Sequence, residues 1–243
     1  EQIQEAEEVD WNEEEQRVEV RLVKRLGSIM LSEKPLKSTD NSEVTDLLLE
    51  ELEDLELETL NWSKEALALK NRVNFLNHHG EAMPDFSDDY LLKNMDEWLA
   101  PYLQGINSIR GVKGLNLHNI LLGLLSYEQT QALDKLAPAK LKVASGSNIA
   151  IDYSNPTQPI LAVRLQEMFG TSDTPTILQG KVKLMLHLLS PASRPMQVTQ
   201  DLASFWANTY DDVKKELRGK YKKHYWPDDP LEAQATSRTK KRM

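Results

Sequence analysis

The spacing of apolar residues changes twice along this chain, and that change restricts the fold more than any single motif. Between 18 and 22, valine and leucine alternate with charged residues, which is the period of a half-buried strand. From 44 to 136 the leucines recur at helical spacing instead. Beyond Pro138 the alternation returns, most clearly over 182–188. The sequence therefore predicts an α+β fold with strands, then helices, then a mixed segment.

The predicted segment boundaries follow these changes. Residues 1–38 contain a β-hairpin that turns near Gly27, although the first 16 residues are acidic and lack a strong apolar pattern. Residues 39–136 form a helical connector, residues 137–230 form a mixed α+β domain, and residues 231–243 form a basic, disordered tail. Because a lone hairpin is marginally stable in water, its sheet is expected to continue in strands that lie upstream.

Polar residues mark the ends of several predicted elements. Ser63, Ser87 and Ser126 each precede a helical pattern and can cap the helix that follows. Gln129 lies three residues after Ser126, which is the spacing of a capping box. Gly146 lies between two apolar pairs, so it can supply the positive φ of a hairpin turn.

Composition excludes several functional classes. The chain has no cysteine, so disulfides and thiolate metal sites are excluded. No run approaches the roughly 18 apolar residues of a membrane span, and we expect a cytoplasmic location with no membrane partner. Two glycine–lysine pairs, Gly180–Lys181 and Gly219–Lys220, lack the hydroxyl residue and the upstream glycine of a phosphate loop. We therefore predict no catalytic residue, no metal site and no bound cofactor in this chain.

Charge is distributed unevenly. The net charge is −9, but residues 1–60 hold 6 Lys/Arg against 19 Asp/Glu, whereas residues 137–243 hold 16 against 10. A polyanion would therefore meet the C-terminal part of the chain. Ordinary solvated surface with a basic tail would give the same distribution.

The segment from Lys214 to Trp226, called here the basic strip, is the strongest candidate for a binding site. Its cations can neutralise phosphates and its rings can stack on the bases of a single strand. Alternatively, its tyrosines and tryptophan fold back into the core with one polar tip satisfied. The candidate nucleic-acid-binding residues are Lys214, Lys215, Arg218, Lys220, Tyr221, Lys222, Lys223, His224, Tyr225 and Trp226, with Arg194 in a preceding turn.

Four stretches in a fixed order carry a family resemblance. They are RLGSIMLSEKPL at 25–36, WLAPYL at 98–103, IDYSNPTQPILAVRLQEMFG at 151–170, and the block from HLLSP to HYWPDDP at 187–230. In these stretches the chain resembles the C-terminal region of the bacterial HrpB-type ATP-dependent helicases, a DEAH/RHA-like group. One departure is Lys222, which stands where that group tends to have proline. The resemblance implies that the N-terminal hairpin is the remnant of an OB-like barrel.

The resemblance also implies a function. This chain would be a non-motor accessory region that assists the binding of single-stranded nucleic acid, with RNA placed ahead of DNA. ATP and Mg²⁺ would belong to helicase motor domains that lie upstream in the same protein. The alternative is a protein–protein docking or scaffolding module of the helicase. Replacing strip lysines with glutamate separates the two hypotheses, because protein docking would be indifferent to that change.

Overall fold

The computed structural model describes residues 3–36 and 42–239. The predicted α+β class is confirmed, because antiparallel strands come first, helices follow, and a mixed sheet occupies the second half of the chain. The predicted boundary between residues 38 and 39 lies outside the described residues.

Contacts divide the chain into two compact units. The first contains the chain up to Lys70 together with Pro84–Leu125. The second contains Asn71–Met83 together with the chain from Ser126 onward. The predicted helical connector, 39–136, therefore contributes residues to both units.

Three antiparallel strands begin the first unit, in the order β1-β2-β3. They are β1 (Ile3–Asn12), β2 (Arg17–Leu26) and β3 (Ile29–Leu36). The hairpin predicted from the sequence is formed by β2 and β3, which are joined at Gly27 with a φ of 59°. That left-handed value suits glycine, which has no Cβ to clash with the backbone.

The strand β1 is an addition to the predicted hairpin. It pairs with β2 over its whole length, from Ile3 opposite Leu26 to Asn12 opposite Arg17. Ion pairs also cross between the two strands, joining Arg21 to Asp10, Lys24 to Glu5, and Arg25 to Glu8. Main-chain hydrogen bonds and cross-strand ion pairs therefore hold β1 in place. Neither is visible in the spacing of apolar residues along the sequence.

Six α-helices follow among the described residues between 42 and 125. They are α1 (Ser42–Asp54), α2 (Lys64–His78), α3 (Asp88–Lys93), α4 (Met95–Trp98), α5 (Ile109–Val112) and α6 (Leu117–Gly123). The predicted caps are confirmed at Ser63, whose Oγ accepts from the amide of Ala66, and at Ser87, whose Oγ accepts from the amide of Tyr90. No helix in the described part of the chain has the length and apolar content needed to cross a membrane.

The second unit is built on a five-stranded mixed sheet. After α7 (Tyr127–Leu136) come the strands and helices β4 (Lys140–Lys142), β5 (Asn148–Asp152), β6 (Ile160–Arg164), β7 (Thr176–Ile177), β8 (Val182–Lys183), β9 (Met185–Leu189), β10 (Pro195–Thr199), α8 (Leu202–Asn208) and α9 (Tyr210–Lys220). The strand order is β10-β9-β6-β5-β4, and β6 and β9 are parallel while the other neighbours are antiparallel. The predicted hairpin around Gly146 is formed by β4 and β5.

The single strand predicted over 182–188 is divided in two. Val182 and Lys183 form β8, which pairs with β7 in a separate ribbon, whereas β9 joins the main sheet beside β6. The break falls at Leu184, which is fully buried and whose amide donates to the carbonyl of Pro175. The uninterrupted alternation of apolar residues over 182–188 therefore contributes strands to two different sheets.

The segment 231–243, for which a disordered tail is predicted, is described up to residue 239, and part of it contacts the rest of the domain. The amide of Gly170 donates to the carbonyl of Pro230 at 2.9 Å, and the amide of Thr236 donates to the carbonyl of Gln166 at 3.0 Å. Thr236 is also buried. The described part of the segment therefore lies along residues 166–170.

We expect Ser126→Ala to lower the free energy of unfolding by about 1 kcal/mol. The Oγ of Ser126 accepts from the amide of Gln129 at 3.2 Å, and the Gln129 side chain accepts from the amide of Ser126 at 2.9 Å, so the predicted capping box is confirmed. Urea unfolding followed by circular dichroism measures the change. Ser154→Ala is the control, because the described residues show no partner for that exposed hydroxyl. Equal losses in both variants would contradict the prediction.

Candidate nucleic-acid interface

The basic strip is presented by α9 and the loop that follows it. Tyr210, Val213 and Leu217 recur at helical spacing and are buried, so the opposite face of α9 is exposed to solvent. Acidic residues occupy the first turn, 211–212, and cations occupy the last turn, 218–220, which suits the helix dipole at both ends. The local sequence therefore fixes which cations point outward.

Tyr210 anchors the buried face of α9 in an aromatic cluster. Its ring centroid lies 5.4 Å from that of Trp206, and it also contacts the rings of Phe169 and Phe205. Its hydroxyl donates to the carbonyl of Pro227 at 2.9 Å. Burial raises the pKa of Tyr210 above its ordinary value, so the phenol stays protonated and keeps this hydrogen bond.

Two aromatic residues of the loop, Tyr221 and Trp226, are held by hydrogen bonds within the protein. Trp226 is only 8% exposed, and its Nε1 donates to the carbonyl of Tyr221 at 3.1 Å. The hydroxyl of Tyr221 donates to the Oγ of Ser190 at 3.3 Å. A ring as buried as that of Trp226 offers little face to an incoming base, so the geometry favours the packing alternative for it.

Gln166 fixes the middle of the loop. Its Nε2 donates to the carbonyl of Tyr225 at 3.0 Å, and its Oε1 lies 3.0 Å from Nδ1 of His224. Because an amide oxygen only accepts hydrogen bonds, the proton of a neutral His224 is assigned to Nδ1. Burial, and secondarily the charge of Arg164, lowers the pKa of His224, which favours that neutral form. His224 therefore supports the loop.

Lys214 is engaged in ion pairs within the protein. Its Nζ lies 2.9 Å from the carboxylate of Asp211, 3.2 Å from that of Asp228, and 5.5 Å from the ring centroid of Tyr210. The hydrogen bond to Asp211 raises the pKa of Lys214, and the same bond lowers the pKa of Asp211. A cation with two carboxylate partners has little charge to offer a phosphate.

The other cations of the strip are more accessible. Lys215 pairs with Asp212 at 3.0 Å and Lys220 pairs with Glu216 at 2.7 Å, but all four side chains are at least half exposed. Such surface pairs are worth about 0–1 kcal/mol, so a ligand can displace them. The remaining three cations, Arg218, Lys222 and Lys223, are exposed and have no ion pair among the described residues.

An open concavity of about 460 Å³ collects three of these cations. It is lined by Lys215, Arg218, Gly219 and Lys222, with no carboxylate among the lining residues. Lys215 and Arg218 are three residues apart and share one side of α9, and Lys222 lies in the loop just beyond the end of the helix. Such a row can hold the phosphates of a nucleic acid.

Arg194 approaches the strip through its main chain. Its amide donates to the Oγ of the fully buried Ser190 at 3.2 Å, and its carbonyl accepts from the amide of Ser190 at 2.8 Å. Because the hydroxyl of Tyr221 bonds to that same Oγ, Ser190 connects the turn of Arg194 with the loop. The roles of Ser190 and Gln166 escaped sequence reasoning, since neither lies in a charged or aromatic pattern.

Comparison with known proteins supports the resemblance seen in the sequence. A family model named HrpB_C and described as "ATP-dependent helicase C-terminal" matches residues 98–230, which is more than half of the chain. The chain belongs to the HrpB C-terminal family. Residues that build the candidate interface lie within the matched region.

The family relation extends to nearly the whole chain. A relative from Escherichia coli (strain K12), "ATP-dependent RNA helicase HrpB", is 40% identical over 98% of this chain and 30% of its own length. The crystal structure of the E. coli DExH-box NTPase HrpB matches with a TM-score of 0.77 at 39% identity, covering 98% of this chain and 30% of that one. That of the E. coli DEAH/RHA helicase HrpB matches with a TM-score of 0.67 at 36% identity, covering 93% and 29%. The chain thus spans less than a third of the length of each of these relatives.

Among residues 3–36 and 42–239, no group of three or more His, Asp or Glu side chains is arranged to hold a metal ion. The adjacent pair Asp211 and Asp212 points to separate lysines, Lys214 and Lys215, at 2.9 and 3.0 Å. These carboxylates therefore form ion pairs on the surface of α9.

Proposed function

We propose that this chain is the accessory C-terminal region of an ATP-dependent helicase and that it holds the phosphates of single-stranded RNA. The observation that carries the proposal is the concavity lined by Lys215, Arg218 and Lys222, which has no carboxylate in its lining. ATP and Mg²⁺ would be held by motor domains outside this chain. The chain's own part in the cycle would be to guide one strand.

Contacts to phosphate, rather than to bases, account best for the positions of the side chains. Trp226 is buried, and Tyr221 and His224 are held by hydrogen bonds to Ser190 and Gln166. The cations of the concavity are accessible by comparison. Binding through phosphates is independent of sequence, as a strand-guiding region requires.

RNA is preferred over DNA in this proposal because the curated relative is called an RNA helicase. Lys222 adds one cation at a position where the helicase group tends to have proline. This chain would therefore bind RNA with a steeper salt dependence than a relative that keeps the proline.

We expect the chain to bind a labelled single-stranded RNA of mixed sequence, and to bind it less tightly as salt increases. Three phosphate contacts give a slope of about −2 in a plot of log K against log salt concentration, which is about a 20-fold loss of affinity between 50 and 200 mM salt. Fluorescence anisotropy with the 243-residue chain measures both quantities. No binding at 50 mM salt by a folded sample would contradict the proposal, as would binding that salt leaves unchanged.

A further inference from the structure

A second pocket lies in the first compact unit and is acidic instead of basic. It has a volume of about 250 Å³ and is formed by residues 84–98 together with Leu124. Phe86, Leu91 and Trp98 are buried and form its base, while Asp85, Tyr90, Glu97 and Leu124 are exposed at its rim. The volume is below the roughly 300–1,000 Å³ typical of pockets for drug-sized ligands, so it suits a single long side chain.

Local hydrogen bonds hold this pocket open. The carboxylate of Asp85 accepts from the amide of Ser87 at 2.8 Å, and Ser87 caps the helix that carries Tyr90. The Nε1 of Trp98 donates to the carbonyl of Leu91 at 2.7 Å. Because these bonds fix the backbone on both sides, a ligand would meet a preformed site.

The charge around the pocket is largely uncompensated. Residues 84–98 contain five carboxylates and one lysine. Asp88 pairs with Lys70 and Asp89 pairs with Lys93, whereas the described residues show no cationic partner for Asp85, Asp96 or Glu97. The pocket therefore has a negative rim and an aromatic wall, a combination that suits a cation with an apolar stem.

An exposed apolar surface adjoins the pocket. Leu122 and Leu124 are 37% and 38% exposed, and Tyr102 is 44% exposed. Gly123 separates the two leucines. The hydroxyl oxygen of Tyr102 lies 3.6 Å from the position that a Cβ atom would occupy at Gly123, so the tyrosine contacts this turn. Aromatic and apolar side chains beside a charged rim are typical of protein–protein contacts.

We propose that this pocket receives an arginine side chain from a protein partner, and that apolar residues beside the arginine cover Leu122, Leu124 and Tyr102. A guanidinium can stack on the ring of Tyr90 while its N–H groups donate to the carboxylates of Glu97 and Asp85. RNA does not suit this pocket, because its phosphates would meet a rim whose charge is mostly negative. This site is separate from the basic concavity, so the two proposals stand or fall independently.

The test is a titration of the ¹⁵N-labelled 243-residue chain, followed by the amide signals of residues 84–98 and the indole signal of Trp98. The probe is a blocked pentapeptide with a central arginine between two leucines. The control is the same peptide with citrulline in place of arginine, because citrulline is neutral and of similar shape. We expect saturable shifts with the arginine peptide and at least about tenfold weaker binding of the citrulline peptide. Equal binding of both peptides would overturn the proposal.

Two adjacent carboxylates provide matched variants. Glu97 lines the pocket, whereas Asp96 is exposed outside it, so Glu97→Gln and Asp96→Asn remove the same charge. We expect Glu97→Gln to weaken the arginine peptide about tenfold and Asp96→Asn to leave it within about twofold. Equal weakening of peptide binding by the two substitutions would show that overall negative charge, and not the pocket, attracts the peptide, and would overturn the proposal. Shifts of Trp98 caused by RNA, or by raising protein concentration without peptide, would assign the pocket to other occupants and also overturn the proposal.

Discussion

Replacing Lys215, Arg218 and Lys222 together with glutamate is expected to weaken RNA binding by at least about 100-fold and to change the slope of log K against log salt from about −2 to about zero. All three side chains line the same concavity, and only Lys215 has an ion-pair partner among the described residues. Reversal removes three cations and places three negative charges where phosphate would lie. Replacement with glutamine removes the cations without repulsion and is expected to give a smaller loss with the same change of slope.

The matched control reverses three exposed cations elsewhere in the same compact unit. Lys140, Lys142 and Lys181 are exposed, and their reversal changes the net charge of the protein by the same amount. Lys214 is left intact in both variants, because it holds Asp211 and Asp228. Equal loss of binding in the two variants would mean that overall charge, and not the concavity, attracts RNA. Undiminished RNA affinity in the variant that carries glutamate at all three concavity positions would contradict the proposed interface.

Tyr210→Ala is expected to lower the free energy of unfolding of the second compact unit by about 3–5 kcal/mol. The side chain is 1% exposed and lies among the rings of Phe169, Phe205 and Trp206. Removal therefore leaves a cavity at the base of α9 and an unpaired carbonyl at Pro227. Calorimetry should show the melting temperature of that unit falling by about 10 °C.

Two further variants divide this loss into its causes. Tyr210→Phe keeps the ring and removes only the hydrogen bond to Pro227, so we expect about 1 kcal/mol. Tyr127→Ala makes the same truncation at a side chain that is 74% exposed, and we expect a change within about 0.5 kcal/mol. A loss at Tyr210 no larger than that at Tyr127 would show that the aromatic cluster does not stabilise α9.

Local pattern and capping chemistry predicted much of the secondary structure. The hairpin at Gly27, the capping box at Ser126 and Gln129, and the hairpin at Gly146 all depend on residues close in sequence, and all are confirmed. The strand β1 was missed because it is stabilised by charges on the neighbouring strand. The division of 182–188 was missed because the partner of Leu184 is the distant carbonyl of Pro175.

The candidate interface could be placed from the sequence but not resolved residue by residue. The sequence predicts the stretch from 214 to 226 from its cations and aromatic rings, and its role in binding stays a prediction. What separates Lys214 from Arg218 is its pair of carboxylate partners, Asp211 on α9 and Asp228 in the loop that follows the helix. What turns Trp226 inward is the carbonyl of Tyr221, a main-chain group that no composition or periodicity represents.

Gln166 has a consequence for the order in which the protein is made. Its side chain holds the loop at His224 and Tyr225, and its carbonyl accepts from the amide of Thr236. A ribosome adding about 5–20 residues per second needs roughly 4–14 seconds to travel from the first of these positions to the last. The strands β9 and β10, the helices α8 and α9 and the loop that Gln166 holds are all made during that interval. The hydrogen bonds of Gln166 to residues 224, 225 and 236 can therefore all be present only several seconds after Gln166 itself has been made.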